Sequence, residues 1–147
     1  MRIIAFFAFV AKAIAGAGKA HRMQLFGARA VDAMRIEKGF LHWKADLLTE
    51  FDPFETGLDR FVKLEKGDFV GRDALIRRQA KEPSKRLITL KIPTTDPPTH
   101  GGASVMVDDK VVGTITSGEW RHRVGKNLAF AFVDLDVAEP KVMLEVD

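Results

Sequence analysis

Charged and aromatic side chains that could form a ligand site are concentrated in residues 35–58, RIEKGFLHWKADLLTEFDPFETGL. Arg35 and Glu37 could hold a polar ligand, and Trp43 could stack on a flat ring. Trp120, further along the chain, offers a second flat surface. Each residue also has a plainer interpretation, because Arg35 with Glu37 would more often form a structural ion pair and a tryptophan more often belongs to a core. The pattern nevertheless predicts a connection that builds a site.

Side chains that bind metal ions or act as nucleophiles show no recognisable arrangement. The four histidines are scattered, and none belongs to the two-histidine helical pair of zinc hydrolases: His21, His42, His100 and His122. Ser117 lies in Thr-Ser-Gly, which is not the turn of a serine nucleophile. The glycines before Lys19 match neither the dinucleotide fingerprint nor the phosphate loop. We therefore predict no metal site, and no flavin or nicotinamide site, in this chain.

The composition is that of a globular protein, with 46% hydrophobic and 29% charged residues. The 23 basic and 20 acidic residues give a formal charge of +3, which is too small an excess to predict a nucleic-acid partner. A small basic barrel that binds nucleic acid is the weakest of the functional alternatives. The chain has no cysteine, which excludes a disulfide and fits a reducing compartment, so the expected location is the cytoplasm.

The first twenty residues, MRIIAFFAFVAKAIAGAGKA, allow two interpretations. A basic second residue, an apolar run and small residues are typical of a secretory signal peptide. Lys12 interrupts the apolar run, however, and the run is too short to span a membrane. The alternative is an apolar helix that ends at Gly16 and Gly18, with phenylalanines that need a larger domain or a partner chain to cover them. We expect no membrane insertion.

Two helices should flank the first candidate residues. Apolar residues at helical spacing before Arg35 indicate a helix that Gly39 ends, so that Arg35 and Glu37 lie on its last turn. A short helix should begin at Asp52, whose side chain can cap it, while Glu55 returns a hydrogen bond to the cap. These elements would hold the polar residues in a connection between two helix ends.

The next stretch is predicted to contain a strand and a second helix. Residues 61–64 alternate like a half-buried strand. Asp68 can cap the following helix, which Pro83 closes. The helix carries a basic face for which we expect solvent exposure: Arg72, Arg77, Arg78 and Lys81.

From residue 86 onward, short alternating segments predict five strands. They span residues 86–92, 104–107, 111–116, 128–133 and 142–146. Turn-forming residues between them, including Ser117 and Gly118, are spaced as in a small antiparallel Greek-key β-barrel. We predict an α+β fold in which residues 1–81 form a helical and mixed domain and residues 85–147 form the barrel.

Several of these segments resemble one protein family. RIEKGFLHWKADL and DPFETGLDRFVKLEKGDFVGRDAL are similar to the C-terminal half of the aminomethyltransferase family, and THGGASVMVDDKVVGTITSGEW continues the similarity. This family includes the glycine cleavage T-protein and the folate domains of dimethylglycine and sarcosine dehydrogenases. The Arg-Ile-Glu-Lys start and Trp43 look like the dehydrogenase branch. Residues 119–123 depart from the common Gly-Tyr-Gly-His pattern, which puts a ligand contact by that loop in doubt.

The resemblance implies tetrahydrofolate-dependent transfer of a one-carbon unit from an amine to folate. By that resemblance, Arg35, Glu37 and Trp43 are the candidate folate-binding residues, and Trp120 joins them as a second ring that could stack on a flat ligand. We expect Glu37 and Trp43 to face an interior cleft beside Arg35. The family's acidic residue near the reactive nitrogen of folate, and its main pterin-binding glutamate, belong to an N-terminal half that precedes these segments. No catalytic residue is therefore assigned here, and the chain is expected to be inactive alone.

The same resemblance sets the expected partners. Tetrahydrofolate would bind only when the missing N-terminal half, or a flavoprotein subunit, completes the site. An alternative is a non-catalytic interaction module that docks on a flavoprotein subunit through the apolar N-terminus and the barrel. The amine substrate could be glycine-derived, dimethylglycine or sarcosine.

Overall fold

The computed structural model describes residues 2–93, 99–140 and 144–146. The chain forms two compact units, Met1–Val31 and Asp32–Asp147. The domain boundary predicted between residues 81 and 85 lies inside the second unit and remains a prediction. Among the described residues, no helix is both long enough and apolar enough to cross a membrane.

The first unit contains helix α1, Arg2–Gly18, followed by a 3-10 turn, Lys19–His21. The helix ends where the chain folds back, because the N–H of Met23 donates to the carbonyl of Gly18 at 3.0 Å. A β-carbon on Gly18 would lie 2.6 Å from the sulfur of Met23, so glycine permits this close approach. The predicted helix with an end at these glycines is confirmed, and the targeting interpretation of the same residues remains a prediction.

Helix α2, Ala28–Glu37, ends as the sequence predicts. Gly39 adopts the left-handed conformation with φ +73°, and the N–H of Phe40 donates to the carbonyl of Arg35 at 2.8 Å. This hydrogen bond caps the last turn in the manner typical of a C-terminal glycine. Arg35 and Glu37 therefore occupy the final turn, and Ile36 between them is buried.

Three predictions between residues 52 and 71 are wrong in their secondary structure. The caps of Asp52 form, but the helix is a single turn because Gly57 takes φ +71°. Residues 61–64 form no strand, since a 3-10 turn, Asp59–Phe61, and further local hydrogen bonds satisfy their backbone. Helix α3, Arg72–Gln79, begins after Gly71 rather than after Asp68.

The rest of the second unit is a five-stranded antiparallel sheet. Its strands are β1 Lys85–Ile92, β2 Ser104–Val107, β3 Lys110–Arg121, β4 Lys126–Asp134 and β5 Glu145–Val146. The spatial order is β1-β4-β3-β2-β5. The predicted mixture of helices and an antiparallel sheet is confirmed, but within the described ranges β1 and β5 do not pair, so the sheet is not closed into a barrel. Residues 142 and 143 of the last predicted strand lie outside those ranges.

Strand β3 is longer than predicted because Ser117 and Gly118 do not end it. The register with β4 shifts between Ile115 and Ser117, so Thr116 is the extra residue of a β-bulge. Gly118 is required there, since a β-carbon on it would lie 2.1 Å from the carbonyl oxygen of Thr99. The core lies on one face of this sheet and contains Val105, Val112, Ile115, Ala129, Ala131 and Val133.

Candidate functional site

The most concentrated polar contacts of the second unit meet at Asp46, which is completely buried. Its carboxylate accepts hydrogen bonds from Nη1 of Arg35 at 2.7 Å and from the N–H of His42 at 2.8 Å. The hydroxyls of Thr116 and Ser117 donate to its other oxygen at 2.6 and 2.5 Å. Four donors therefore satisfy the buried charge, as burial requires. We call Arg35, Asp46, Thr116 and Ser117 the Arg35–Asp46 cluster.

Arg35 reaches three groups besides Asp46 from a side chain that is 12% exposed. Nε donates to Asp32 at 2.8 Å, and Nη1 also donates to the carbonyl of Phe40 at 3.3 Å. Nη2 donates to the hydroxyl of Ser117 at 2.9 Å. A guanidinium has one N–H on Nε and two on each terminal nitrogen, so one N–H of Nη2 is left over. Arg35 is thus mainly a structural residue that retains one donor.

A tight turn places Asp46 inside. The N–H groups of Asp46 and Leu47 both donate to the carbonyl of His42, and the N–H of Lys44 donates to the carbonyl of Leu47. Lys44 takes φ +69° to close this turn, a conformation that is uncommon for residues other than glycine. The turn directs the Asp46 carboxylate towards β3 and leaves Trp43 63% exposed.

The β-bulge in β3 supplies both hydroxyls. Consecutive side chains of a regular strand point to opposite faces, so Thr116 and Ser117 could not both reach one carboxylate from a regular strand. The extra residue in the bulge rotates the strand locally, and both side chains then contact Asp46. The cluster therefore joins the turn at residues 42–47 to the centre of the sheet.

A second buried cation lies near the cluster. Arg121 has no exposed surface, and within the described part of the chain its terminal nitrogens donate to two carbonyls, those of Asp32 at 3.2 Å and Leu128 at 3.4 Å. Burial lowers the pKa of Arg121; nearby Arg35 lowers it further, while the charge of Glu119 raises it. Among the described residues its Nε has no hydrogen-bond partner. Arg121 is the last residue of β3 and belongs to residues 119–123, in which the sequence departs from the family pattern.

A second group of polar contacts joins the turn at Asp52 and Glu55 to helix α3 and to the residue before β1. Arg78 donates to Asp52 at 2.5 Å and to Glu55 at 3.4 Å, and Ser84 donates to Glu55 at 3.2 Å. Burial raises the pKa of Asp52, but hydrogen bonds from Arg78 and from the N–H groups of Glu55 and Phe54 outweigh it and lower the pKa below its ordinary value. Arg78 pairs with both carboxylates while its side chain remains 42% exposed, which is consistent with the predicted exposure of the basic face.

The four predicted folate-binding residues are distributed unevenly. Trp43 does not face an interior cleft, so that expectation is wrong, because the tight turn carries its side chain outward. Glu37 is half-buried on the last turn of α2, and Arg35 pairs with Asp32 and Asp46 rather than with it. Trp120 is half-buried in β3, where it pairs in register with Asn127. Among the described residues, no hydrogen bond or ion pair joins any two of the four.

The sequence prediction did not place Asp46, Thr116, Ser117 or Arg121 in a site, and it gave Ser117 only a role in a turn. The two hydroxyl partners of Asp46 lie 70 and 71 residues further along the chain, so local spacing does not indicate these contacts. One signal was present, since Asp46 stands between Ala45 and Leu47 in a largely apolar stretch. A carboxylate in such a place needs several donors once the stretch is buried.

Comparison with known proteins assigns the family. Residues 6–66 match the GCVT N-terminal domain, and residues 85–147 match the glycine cleavage T-protein C-terminal barrel domain. The chain belongs to the aminomethyltransferase family. The family resemblance seen in the sequence is therefore confirmed.

Similar proteins come from both branches of the family. Mitochondrial dimethylglycine dehydrogenase of Homo sapiens is 38% identical over 92% of this chain and 16% of its own length. The aminomethyltransferase of Saccharopolyspora erythraea is 34% identical over 92% of this chain and 37% of its own length. Mitochondrial sarcosine dehydrogenase of Mus musculus is 34% identical over 84% of this chain and 14% of its own length. The chain thus spans a minor part of these relatives. The cytoplasmic location remains a prediction, and two of these relatives are mitochondrial by name.

A solved structure shows the same fold. The aminomethyltransferase T of the glycine cleavage system from Bartonella henselae superposes with a TM-score of 0.83, at 23% sequence identity. The match covers 94% of this chain and 39% of that chain. The architecture of the aminomethyltransferase family is therefore present in the part of it that this chain represents.

Proposed function

We propose that this chain forms the C-terminal part of a folate site in an aminomethyltransferase or a dehydrogenase of the dimethylglycine/sarcosine type. The reaction would transfer the methylene carbon of an iminium to tetrahydrofolate. Bonds from this carbon to N5 and N10 of the folate form, its bond to the amine nitrogen breaks, and the amine leaves with the two protons that N5 and N10 lose, which gives methylene-tetrahydrofolate. The observation that carries the proposal is the Arg35–Asp46 cluster. It binds the RIEKG segment to the TSGEW strand, and both segments belong to regions that match the family.

The candidate ligand contacts follow from the ring surfaces and hydrogen-bonding groups that each side chain can offer to a ligand. Trp43 presents an exposed ring that can form one wall for a flat pterin. Arg35 keeps one N–H, and Glu37 has a half-buried carboxylate that can accept hydrogen bonds from a pterin. Trp120 offers a second, half-buried ring. These groups would position folate, and none of them is assigned the proton transfer.

The base and the main pterin anchor would come from a partner. The relatives have much longer chains, and the second unit exposes large apolar side chains that a partner could cover. Phe40 and Phe61 are both exposed and line an apolar groove of about 490 Å³ together with Leu58 and Leu87. We propose an N-terminal folate half, or a flavoprotein subunit that carries one, as the partner.

The same exposed side chains favour a second candidate function. A non-catalytic module could use Phe40 and Phe61 to dock on a flavoprotein subunit without contacting folate. The two functions differ in the effect that binding to the partner has on folate affinity. In the first, complex formation creates a folate site, whereas in the second it leaves folate affinity unchanged.

Co-expression tests the proposal. The chain is produced with the part of the Saccharopolyspora erythraea aminomethyltransferase that lies outside the match, and each piece is also produced alone. We expect tetrahydrofolate binding, measured by calorimetry, and methylene-tetrahydrofolate formation only from the complex, because transfer needs groups positioned on both sides of the carbon. Turnover by the isolated chain would refute the proposed dependence. A stable complex without folate binding would favour the docking module instead.

A further inference from the structure

A cavity of about 450 Å³ lies beside the Arg35–Asp46 cluster, and none of the four predicted folate-binding residues lines it. Its apolar wall is built on Phe51 and Phe132, whose rings stack with centroids 3.6 Å apart and planes 16° apart. Leu48 extends the apolar wall, whereas the side chain of Ile115 packs in the core of the sheet. The volume falls within the range of about 300–1,000 Å³ that is typical of small-molecule sites. The cavity thus offers room and a surface for a flat apolar group.

The charges around this cavity are unbalanced. Lys85 lines it but donates to Asp134 at 2.6 Å, which neutralises that charge locally. Lys44 also lines it, and no carboxylate of the described residues lies within 4.0 Å of its ammonium group. One positive charge is therefore left beside an apolar wall. The hydroxyl of Thr114 lines the same cavity and can donate a hydrogen bond.

The position of Lys44 is fixed by the backbone. Its φ of +69° is uncommon for a residue with a side chain, and the turn that imposes it is closed by the hydrogen bond from the N–H of Lys44 to the carbonyl of Leu47. Strained backbone of this kind often occurs where a side chain must be held in place. The turn that buries Asp46 therefore also fixes the backbone from which the exposed side chain of Lys44 reaches the cavity.

We propose that this cavity binds a small aromatic monocarboxylate. The ring would lie against Phe51 and Phe132, and the carboxylate would pair with Lys44 and accept from Thr114. One uncompensated cation matches one carboxylate, whereas a second ligand charge would lie against the apolar wall without a partner. A cationic ligand would meet Lys44 as a like charge.

The test uses the 147-residue chain with 3-phenylpropionate as the probe and 3-phenylpropanamide as its neutral isostere. Binding is followed by NMR through the backbone amides of Gly102 and Ile115, which line the cavity. We expect the acid to bind about three- to tenfold more tightly than the amide, because only the acid pairs with the ammonium group. Lys44→Asn should remove this preference, since asparagine tolerates the left-handed backbone. Lys126→Asn, on an exposed residue that does not line the cavity, is the matched control and should behave as wild type.

A third variant tests the location. Thr114→Trp should fill the cavity and abolish binding of the acid while the circular dichroism spectrum and melting temperature stay close to wild type. If this variant fails to fold, the comparison of acid with amide in the wild-type chain and in the two lysine variants still tests the proposal. Absence of binding to the wild-type chain, equal affinity for acid and amide, or unchanged preference in Lys44→Asn would each overturn the proposal.

Discussion

Replacing Asp46 by asparagine should cost more stability than any other single change in the Arg35–Asp46 cluster. The carboxylate has no exposed surface. Its partner Arg35 has a side chain that is 12% exposed, and Nη1 of Arg35 lies 2.7 Å from the carboxylate. Asparagine keeps the shape but substitutes an NH₂ group for one acceptor oxygen and removes the charge, so Arg35 loses its buried counter-ion. Breaking a buried pair by removing one partner costs about 3–5 kcal/mol. We expect the free energy of unfolding to fall by that amount.

Urea denaturation followed by tryptophan fluorescence and by circular dichroism measures this loss. The matched control is Asp32→Asn, because Asp32 pairs with the same arginine at 2.8 Å but is 47% exposed. An exposed pair contributes at most about 1 kcal/mol, so the control should lose less than that. Both variants should keep the denaturant dependence of wild type, which shows that the change is in stability and not in the extent of unfolding.

A double substitution separates the charge from the volume. In Arg35→Met with Asp46→Leu both charges leave together, and apolar groups take their place. This double variant should therefore lose less stability than Asp46→Asn alone. If Asp46→Asn costs no more than Asp32→Asn, or if the double variant is the least stable of the three, the cluster does not hold the turn to the sheet and the reasoning is wrong.

Three further predictions concern single residues. The folded-state pKa of Asp52 lies below its ordinary value of 3.8, so its carboxylate stabilises the fold above that pH and this contribution is lost as the pH falls below it. Asp52→Asn should accordingly flatten the acid side of the stability profile measured by denaturation between about pH 2 and pH 6, and an unchanged acid side would contradict this. Gly118→Ala should destabilise by more than about 2 kcal/mol, because its β-carbon would overlap the backbone of Thr99, whereas Gly16→Ala has open space in α1 and should be neutral or stabilising in the same thermal melts. Trp43→Ala should weaken tetrahydrofolate binding to the co-expressed complex by about 1–3 kcal/mol in calorimetry, and full affinity in a well-folded variant would end the assignment of Trp43 to the site.

Strands that alternate over a full length and end in turn residues could be predicted closely. β2, Ser104–Val107, has the predicted bounds. β1 begins one residue earlier than predicted, and β4 begins two residues earlier and ends one residue later. Alternation is sufficient there because each strand has a neighbour to pair with. Residues 61–64 alternate as well, but local turns satisfy their backbone and no strand forms.

Residues that are common in turns were the other source of error in the predicted fold. Ser117 and Gly118 are common in turns, which is why β3 was predicted to stop at Thr116. In the structure the same residues lie inside β3. The bulge at Thr116 directs the hydroxyls of Thr116 and Ser117 to Asp46, and Gly118 allows the backbone of Thr99 to approach closely. Sequence composition cannot distinguish these cases, because both depend on residues from distant parts of the chain.

The local part of the candidate site was predictable, and the long-range part was not. The end of α2 at Gly39 follows from a helical pattern and a nearby glycine, which placed Arg35 and Glu37 on the last turn. The outward direction of Trp43 depends on the left-handed backbone at Lys44, and lysine gives no signal for that conformation.

The contacts of Arg35 determine which substitution can reveal a folate site. Nearly all of its N–H groups are committed within the fold, to Asp32, Phe40, Asp46 and Ser117, so a substitution at Arg35 would weaken the fold and any ligand contact together. A lower folate affinity in such a variant would therefore not identify a ligand contact. Trp43 differs because most of its side chain is exposed, and its loss should cost the fold less than about 1 kcal/mol. A change in folate affinity on replacing Trp43 can then be attributed to the ligand, which makes it the decisive position among the four candidates.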